Sequence, residues 1–306
     1  MPEQHYLTPP QPRTERLPPW FKVKAHTGER YLKIRQLTKD LNLHTVCEEA
    51  RCPNIWECWN AGTATFMILG EICTRSCGFC AVKLGQPGPL DLEEPAHVAE
   101  AVFKLGLGHA VITSVNRDEL ENGGAEIFAE TIAKIRERSP QCGVEVLIPD
   151  FLGKQIPLDI VLEKRPDILA HNIETVPSLY RLVRPQAQYR RSLDVLVRAK
   201  QAGLRTKTGL MLGIGETIPE VETVMADLVK IGCDILTLGQ YLQPTAKHLP
   251  IARFVPPEEF LDLKKRGEAM GLGHVESGPL VRSSYHAEQQ VGELETANRN
   301  PLEVVK

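Results

Sequence analysis

The sequence lacks any long apolar run, any strong excess of one charge and any segment of the secretory type. None of its hydrophobic stretches approaches the roughly 20 residues that a transmembrane helix requires. Its 36 basic and 39 acidic side chains leave a formal charge of -3, which gives no reason to expect nucleic acid or a membrane surface as a partner. The N-terminal residues show no charged segment followed by an apolar stretch, so we expect a cytoplasmic, reducing environment.

What the sequence does contain is enough for a large folded domain. The chain has 306 residues, of which 42% are hydrophobic and 25% charged, and such a chain buries a sizeable core. In a reducing environment its eight cysteines are better suited to bind metal than to form disulfides. Two of them, Cys142 and Cys233, stand alone and are expected to pack as small apolar groups.

Three cysteines, Cys73, Cys77 and Cys80, are spaced Cys-x3-Cys-x2-Cys, and we call them the downstream triplet. They offer three thiolates and leave one position of a metal centre without a nearby cysteine, unlike the paired Cys-x2-Cys knuckles of a structural zinc site. Soft sulfur ligands with one open position indicate an iron–sulfur cluster with a reactive iron. The alternatives are an incomplete zinc site or unrelated thiols in a loop.

An upstream triplet, Cys47, Cys52 and Cys58, has the spacing Cys-x4-Cys-x5-Cys. It also offers three thiolates without a fourth. Trp56 and Trp59 would shield such a site from water, and solvent exposure changes the potential and stability of a cluster. This spacing is less distinctive, so a zinc loop or ordinary buried cysteines are alternatives. Its position just before another triplet favours a second cluster.

Short apolar runs alternate with segments of helical period through most of the remaining chain. We predict strands at residues 65–69, 110–115, 144–148, 167–170, 206–212 and 234–238, and helices at residues 96–105, 125–138, 192–202, 220–231 and 257–270. This alternation predicts an α/β fold with a parallel sheet and right-handed crossovers. Six units fit a partial (β/α)6 TIM-type barrel, because a complete barrel typically needs ~250 residues.

The prediction divides the chain into three segments. An N-terminal extension, residues 1–62, carries the upstream triplet, a proline-rich extended arm docked through Trp20 and Phe21, and a short helix at residues 31–41. The barrel occupies residues 63–275. A C-terminal extension, residues 276–306, ends in a charged tail that we expect to be mobile.

Polar loops follow several predicted strands, at the end of a barrel where catalytic groups lie. They are residues 116–125, 149–150, 171–175 and 213–217. Each loop alone is also typical of a turn, but their recurrence at one end of consecutive strands favours a shared pocket. A basic loop, residues 181–191, carries Arg181, Arg184, Arg190 and Arg191. It is either a surface for an acidic partner or an ordinary solvated helix cap.

Together these motifs resemble the radical S-adenosylmethionine superfamily, through the downstream triplet and its aromatic Phe79. The upstream triplet and the segment Arg-Ser-Ser-Tyr at residues 282–285 resemble the lipoyl synthase family within it. The match runs from about residue 17 to residue 286. The family fold is a partial α/β barrel, which agrees with the alternation of strands and helices.

The resemblance implies that the downstream triplet holds a [4Fe-4S] cluster whose open iron binds the amino and carboxylate groups of S-adenosylmethionine. Reductive cleavage then gives methionine and a 5'-deoxyadenosyl radical, which removes hydrogen from unactivated C–H bonds as no side-chain acid or base can. Contacts with S-adenosylmethionine or substrate are implied for Phe79, Asn122, Gly123, Gly124, Asn172, Glu174, Gly213 and Glu216.

The resemblance also implies that the upstream triplet binds an auxiliary [4Fe-4S] cluster whose fourth ligand is a serine. We favour Ser284 and keep Ser283 as the alternative. In this family the auxiliary cluster is taken apart to supply sulfur to C6 and C8 of an octanoyl-lysine. Trp56 stands where a small residue such as glycine is expected, and we expect it to affect packing rather than ligation.

The implied partners are octanoylated lipoyl carrier proteins, namely the lipoyl domains of 2-oxoacid dehydrogenases and the glycine cleavage H protein. An electron donor such as flavodoxin or ferredoxin, and an iron–sulfur carrier, are implied as well. Because the carrier domains are acidic, residues 181–191 are a candidate docking surface.

Two other classes compete with this interpretation. A methylthiotransferase acting on tRNA would normally need an RNA-binding domain and a basic surface, neither of which the composition suggests. A two-cluster electron carrier or iron–sulfur sensor has no need of a barrel with polar strand ends.

Overall fold

The computed structural model describes residues 17–23, 27–50, 52–61, 63–285 and 287. The strands are β1 (His44–Thr45), β2 (Thr65–Ile68), β3 (Ile72–Cys73), β4 (Lys83–Leu84), β5 (His109–Ser114), β6 (Gly143–Leu147), β7 (Ile168–Ala170), β8 (Arg205–Leu212), β9 (Ile235–Gln240) and β10 (His274–Gly278). The helices are α1 (Glu29–Asp40), α2 (Val46–Glu49), α3 (Ile55–Ala61), α4 (Glu94–Leu105), α5 (Ala125–Arg138), α6 (Gln155–Glu163), α7 (Tyr180–Val183), α8 (Tyr189–Gln201), α9 (Ile218–Lys230) and α10 (Pro257–Met270).

The main sheet runs in the order β1-β2-β5-β6-β7-β8-β9-β10, which follows the chain. Every neighbouring pair from β2 to β10 is parallel, and β1 joins the edge antiparallel to β2. Strands β3 and β4 form a small parallel pair of their own. Six strand–helix units followed by β10 confirm the predicted partial barrel, whose two edges are β1 and β10.

Local sequence explains most of these elements. Strands β2 and β9 are buried along their whole length, as expected where helices cover a parallel sheet. Helix α9 begins at a capping box in which the Thr217 hydroxyl and the Glu220 carboxylate satisfy each other's backbone N–H groups. Helix α4 ends at Gly106, whose left-handed conformation, φ 59°, suits glycine.

Strand β10 was not predicted. Its sequence, His-Val-Glu-Ser-Gly, has one strongly apolar residue, and only His274 and Val275 are buried, so it lacks the local signal of a core strand. The proposed barrel boundary at residue 275 falls inside this strand. The division into three segments stays a prediction.

The ends of the chain are described only in part. The predicted mobile tail and the arm before residue 17 lie outside the described residues. Within the described arm, Phe21 is buried and its ring lies 5.7 Å from that of Phe254, while Trp20 is exposed. None of the described helices has the length and hydropathy needed to cross a bilayer.

The segments beside the two sheet edges meet each other. The Asn54 side chain, from the upstream-triplet loop, donates to the Leu280 carbonyl at 2.6 Å. The Tyr285 hydroxyl lies 3.0 Å from the Glu57 carboxylate. The N-terminal extension and the residues after β10 therefore join across the open side of the partial barrel.

Candidate functional site

The downstream triplet lies on a loop that is bound to the ends of several strands. Cys73 ends β3, and the next backbone N–H, that of Thr74, donates to the Asn116 carbonyl beyond β5 at 3.1 Å. Gly78 donates to Val183, beyond β7, at 2.9 Å, and accepts from Leu249, beyond β9, at 2.9 Å. The loop therefore sits at the carboxyl ends of the sheet, as predicted, with its backbone fixed from three sides.

The residues between the cysteines explain part of the motif. A Cβ at Gly78 would lie 2.8 Å from the Leu249 side chain, so this close approach requires glycine. Phe79 packs into a small apolar cluster that includes Val183, Ile214 and Tyr241. Phe79 is thus placed between the triplet and the loop that follows β8.

A buried chain of ion pairs anchors the same loop. Arg75 binds Asp118 through two hydrogen bonds of 2.6 and 2.8 Å and Asp150 at 2.7 Å. The other oxygen of Asp150 accepts from Arg191 at 2.6 Å. Burial alone would raise the pKa of Asp150, but the two arginines outweigh it and lower the pKa to about 2. The sequence placed the loops of Asp118 and Asp150 at a shared pocket, but it assigned no individual role to either acid or to Arg75.

The sulfur atoms lie in a setting that suits metal binding. Cys73 Sγ accepts from the backbone N–H of Asn116 at 3.3 Å and that of Arg75 at 3.4 Å. Burial raises the pKa of the Cys77 thiol and raises that of Cys80 to about 12. Thiolates here are therefore unfavourable without a cation, and a metal centre supplies that compensation.

Polar groups beyond β7 face the downstream triplet. The Asn172 amide donates to Glu174 Oε1 at 3.0 Å, and the Arg184 guanidinium donates to the Asn172 carbonyl at 2.6 Å. Arg184 and Glu174 act in opposite directions on the pKa of Cys77. Among the described residues, Asn116 Oδ1, Asn172 Oδ1 and Arg184 Nε are buried without a hydrogen-bond partner. Such unpaired groups fit a polar ligand beside the triplet.

The loop before α5 requires its two glycines. Gly123 and Gly124 adopt φ values of 58° and 83°, which favour glycine, and a Cβ on Gly124 would lie 2.5 Å from Leu69. Asn122 donates to Glu126 at 2.5 Å. The two glycines are therefore explained by their backbone conformation and by the close contact with Leu69, and contact of this loop with a ligand stays a prediction.

The loop after β8 uses its acidic residue internally. The Glu216 carboxylate accepts from the backbone N–H groups of Gly213, Ile214 and Gly215, at 2.6, 3.0 and 3.1 Å. A Cβ on Gly213 would lie 2.4 Å from the Arg253 carbonyl. Glu216 thus fixes the conformation of the loop, and its predicted contact with a ligand stays a prediction.

The upstream triplet lines an open cavity. The cavity joins the N-terminal extension to the segment after β10, and its lining consists of Cys47, Cys52, Asn54, Ile55, Cys58, Thr63, Thr65, Arg282, Ser284 and Tyr285. Ser284 is therefore brought to the three cysteines. Ser283 is not among the lining residues in the described part of the chain.

Charge in this cavity is also unbalanced without a bound group. Burial raises the pKa of Cys47 to about 11, and it raises those of Cys52 and Cys58 as well. Arg282 partly offsets the effect at Cys52, and burial beside the thiols lowers the pKa of Arg282 itself. An anionic metal–sulfur centre would balance the guanidinium.

The spacing of the sulfur atoms bears on the zinc alternative. Within the described residues, neither triplet brings its three sulfur atoms within 4.8 Å of one another. Tetrahedral ligands of one zinc ion, with Zn–S of ≈ 2.3 Å, lie about 3.8 Å apart. The described sulfur atoms of either triplet are therefore not arranged as ligands of one zinc ion.

The two tryptophans play different parts. Trp56 stacks on Tyr31 of α1 with ring centroids 4.7 Å apart, so it ties α3 to α1 and is not among the cavity-lining residues. Trp59 is fully buried and its indole interacts with the Cys47 thiol. The large residue at position 56 therefore affects helix packing.

The basic loop is less basic at the surface than its sequence suggests. Arg184 turns inward to backbone carbonyls, and Arg191 pairs with buried Asp150. Arg181 and Arg190 are exposed, and Leu182, which follows Arg181 in the chain, is 41% exposed. Of the four arginines of this loop, two are therefore available to a docking partner.

Comparisons with known proteins give first the class. The model of the radical SAM superfamily matches residues 67–228. Streptococcus suis SuiB bound to precursor peptide SuiA shares the fold with a TM-score of 0.57 at 10% identity, over 81% of this chain and 52% of that one. HydG, a maturase of the [FeFe]-hydrogenase, shares the fold with a TM-score of 0.52 at 15% identity, over 86% of this chain and 71% of that one. The fold and the downstream triplet define a radical SAM enzyme, for which a [4Fe-4S] cluster and S-adenosylmethionine are implied.

Closer relatives then give the family. The model for the N-terminal domain of lipoyl synthase matches residues 4–52. The lipoyl synthase of Rubrobacter xylanophilus is 59% identical over 93% of this chain and 88% of that protein. The lipoyl synthase of Koribacter versatilis is 57% identical over 89% of this chain and 90% of that protein. The chain belongs to the lipoyl synthase family, so the tRNA-modifying and electron-carrier alternatives are set aside.

Proposed function

We propose that the chain inserts two sulfur atoms at C6 and C8 of an octanoyl group carried on a lysine of a lipoyl carrier protein. The observation that carries this proposal is the presence of two separate cysteine triplets on one partial barrel. One lies at the strand ends, and the other lies in a cavity completed by Ser284. Membership of the lipoyl synthase family supports the same reaction.

Cys73, Cys77 and Cys80 would hold the cluster that, with S-adenosylmethionine, supplies the one-electron chemistry for removing hydrogen atoms from C6 and C8. The chain's own residues position the reactants. Asn172 and Arg184 present unpaired polar atoms beside the triplet. The Gly123-Gly124 and Gly213 loops lie at the same carboxyl ends of the strands and would line the site.

Cys47, Cys52, Cys58 and Ser284 would hold the auxiliary [4Fe-4S] cluster that donates sulfur. A serine oxygen is a harder ligand than a thiolate and suits iron less well, so Ser284 is the ligand that leaves most readily. Arg282 lines the same cavity, where its charge offsets that of the thiolates.

The carrier proteins would be lipoyl domains of 2-oxoacid dehydrogenases and the glycine cleavage H protein. Arg181 and Arg190 suit an acidic carrier surface, and Leu182 between them offers an apolar contact. A flavodoxin or ferredoxin would supply electrons, and an iron–sulfur carrier would rebuild the auxiliary cluster. The environment would be the cytoplasm.

The reaction is tested by incubating the reconstituted protein with S-adenosylmethionine, a reductant and an octanoyl-lysine peptide, followed by mass spectrometry. A peptide that gains two sulfur atoms supports the proposal. Cleavage of S-adenosylmethionine without any sulfur-containing product contradicts it. The reconstituted chain should hold about eight irons, and zinc, or four irons with all six cysteines intact, would refute the two-cluster assignment.

The docking surface is tested separately with Arg181→Glu/Arg190→Glu. KM for an octanoylated carrier domain should rise about tenfold at low salt, with a smaller effect at high salt. KM for the short peptide should not change. The matched control, Lys104→Glu/Lys134→Glu on α4 and α5, should leave both values unchanged, and equal effects of the two pairs would argue against docking at this loop.

A further inference from the structure

The segment that carries Ser284 is held at several points between β10 and the upstream triplet. Its first turn is closed by a hydrogen bond of 3.1 Å from the Val281 N–H to the Gly278 carbonyl. Asn54 binds the Leu280 carbonyl, and a second turn runs from Tyr285 N–H to the Arg282 carbonyl at 2.9 Å. The depth at which Ser284 enters the cavity therefore depends on where Val281 and Arg282 lie.

A glycine on the neighbouring strand determines that position. Gly239, in β9, pairs in register with Gly278 of β10. A Cβ on Gly239 would lie 2.1 Å from the Val281 carbonyl oxygen and 3.4 Å from Arg282 Nη1. Arg282 Nη1 itself donates to that carbonyl at 2.7 Å. The turn thus packs directly on the bare backbone of Gly239.

A side chain at position 239 would displace the turn after Gly278 rather than strand β9. All six residues of β9 are buried, and β9 pairs with β8 on one side and β10 on the other. In the turn after Gly278, Val281 is buried, but Pro279, Leu280 and Arg282 are partly exposed. The turn has no sheet partner in its described contacts. Restoring an ordinary contact requires the Val281 carbonyl to move by about 1 Å.

We propose that Gly239 is a positioning residue that sets the depth of Ser284, and the orientation of Arg282, in the auxiliary cavity. The inference rests on the proposed role of Ser284 as a cluster ligand. A shift of about 1 Å is enough to disable a preorganised site. Gly239 therefore acts on the auxiliary site while lying outside its lining.

The test uses the full chain with Cys73, Cys77 and Cys80 replaced by alanine, so that only the auxiliary site is loaded with iron-57. In this parent, Gly239→Ala should give the Mössbauer spectrum of Ser284→Ala, with one iron differing from the parent. Gly278→Ala is the matched control, because among the described residues its Cβ would meet the Val281 side chain alone, at 3.4 Å. Its spectrum should equal that of the parent.

A second measurement uses the chain with the downstream triplet intact. Gly239→Ala should cleave S-adenosylmethionine within about threefold of the unmodified rate, while sulfur insertion falls at least about 30-fold. Retained cleavage shows that the barrel is folded. A parent-like spectrum for Gly239→Ala, equal effects of the two glycine variants, or loss of iron from both sites would overturn the inference. If the parent holds no auxiliary cluster and the unmodified chain makes no sulfur product, the proposed function fails instead.

Discussion

The two cysteine triplets differ in how the fold holds them. The downstream loop is hydrogen-bonded to segments beyond β5, β7 and β9 and anchored by the buried Arg75–Asp150–Arg191 ion pairs. The upstream cavity is completed by the segment after β10, which meets the upstream-triplet loop through contacts such as Asn54 to Leu280. The downstream triplet is thus held by the strand ends of the sheet, whereas the upstream cavity is assembled from two segments whose joined residues lie 226 positions apart.

The largest expected effect separates the two triplets outright. Cys73→Ala should lower cleavage of S-adenosylmethionine by at least about 1,000-fold, because the cluster loses a ligand. Cys52→Ala should retain cleavage and lose sulfur insertion. Chromatography of 5'-deoxyadenosine and mass spectrometry of the peptide measure the two activities. Equal loss of both activities in both variants would show that the sites do not divide the reaction.

The next effect concerns the wall of the upstream cavity. Ser284→Ala should lower sulfur insertion by about 100-fold while cleavage continues, because Ser284 lines the cavity. Ser283→Ala is the control and should stay within about threefold of the unmodified chain. The same two assays apply. A larger loss of sulfur insertion in Ser283→Ala than in Ser284→Ala would assign the ligand role to Ser283 instead.

A smaller effect probes the anchor of the downstream loop. Asp150→Asn leaves Arg75 and Arg191 without their shared carboxylate and should lower cleavage about 10- to 100-fold, with a loss of about 3 kcal/mol in unfolding free energy. Urea unfolding measures the stability. The control is Asp159→Asn, whose surface pair with Arg198 should contribute less than about 1 kcal/mol. Similar losses of unfolding free energy in Asp150→Asn and Asp159→Asn would show that the buried ion pairs of Asp150 contribute no more than a surface pair.

The smallest effect is on acid stability near the downstream site. Burial, aided by Arg184, lowers the pKa of His171 to about 4, whereas an unfolded histidine titrates near pH 6.5. The contribution of neutral His171 to the unfolding free energy is complete above pH 6.5 and declines as the pH falls toward 4. The unfolding free energy should fall by about 2 kcal/mol between pH 7 and pH 5. Urea unfolding at each pH gives this slope. His171→Asn should flatten the slope of unfolding free energy against pH. An unchanged slope would show that other groups cause the acid sensitivity.

Much of the fold followed from local signals. All six strands of the strand–helix units and five of their helices were predicted, and helix α10 was predicted with its observed bounds. Helix α6 (Gln155–Glu163) was not among the predicted helices. Strand β10 could not be predicted in this way, because His274 to Gly278 form a strand through pairing with β9 rather than through their own hydrophobic pattern.

The candidate site was predictable to a similar degree. The spacing of the cysteines is visible in the sequence, but the ion pairs that hold the downstream loop are not. Arg75 and Asp118 are 43 positions apart, and Asp150 and Arg191 are 41 apart, so only the topology brings them together. The inward turn of Arg184 and Arg191 likewise depends on partners elsewhere in the chain, which is why residues 181–191 looked more basic in sequence than they are at the surface.

The hydrogen bond between Asn54 and Leu280 joins residues 226 positions apart, and this has a consequence for biosynthesis. A ribosome makes the chain from the N-terminus, and early segments begin to fold before late ones exist. The upstream cysteines therefore emerge while the serine wall of their cavity is still unsynthesised. On the proposed assignment, the ligand set of the auxiliary cluster is complete only once Ser284 has been synthesised, so a carrier that delivers the cluster to all four ligands would act after the barrel strands have been made.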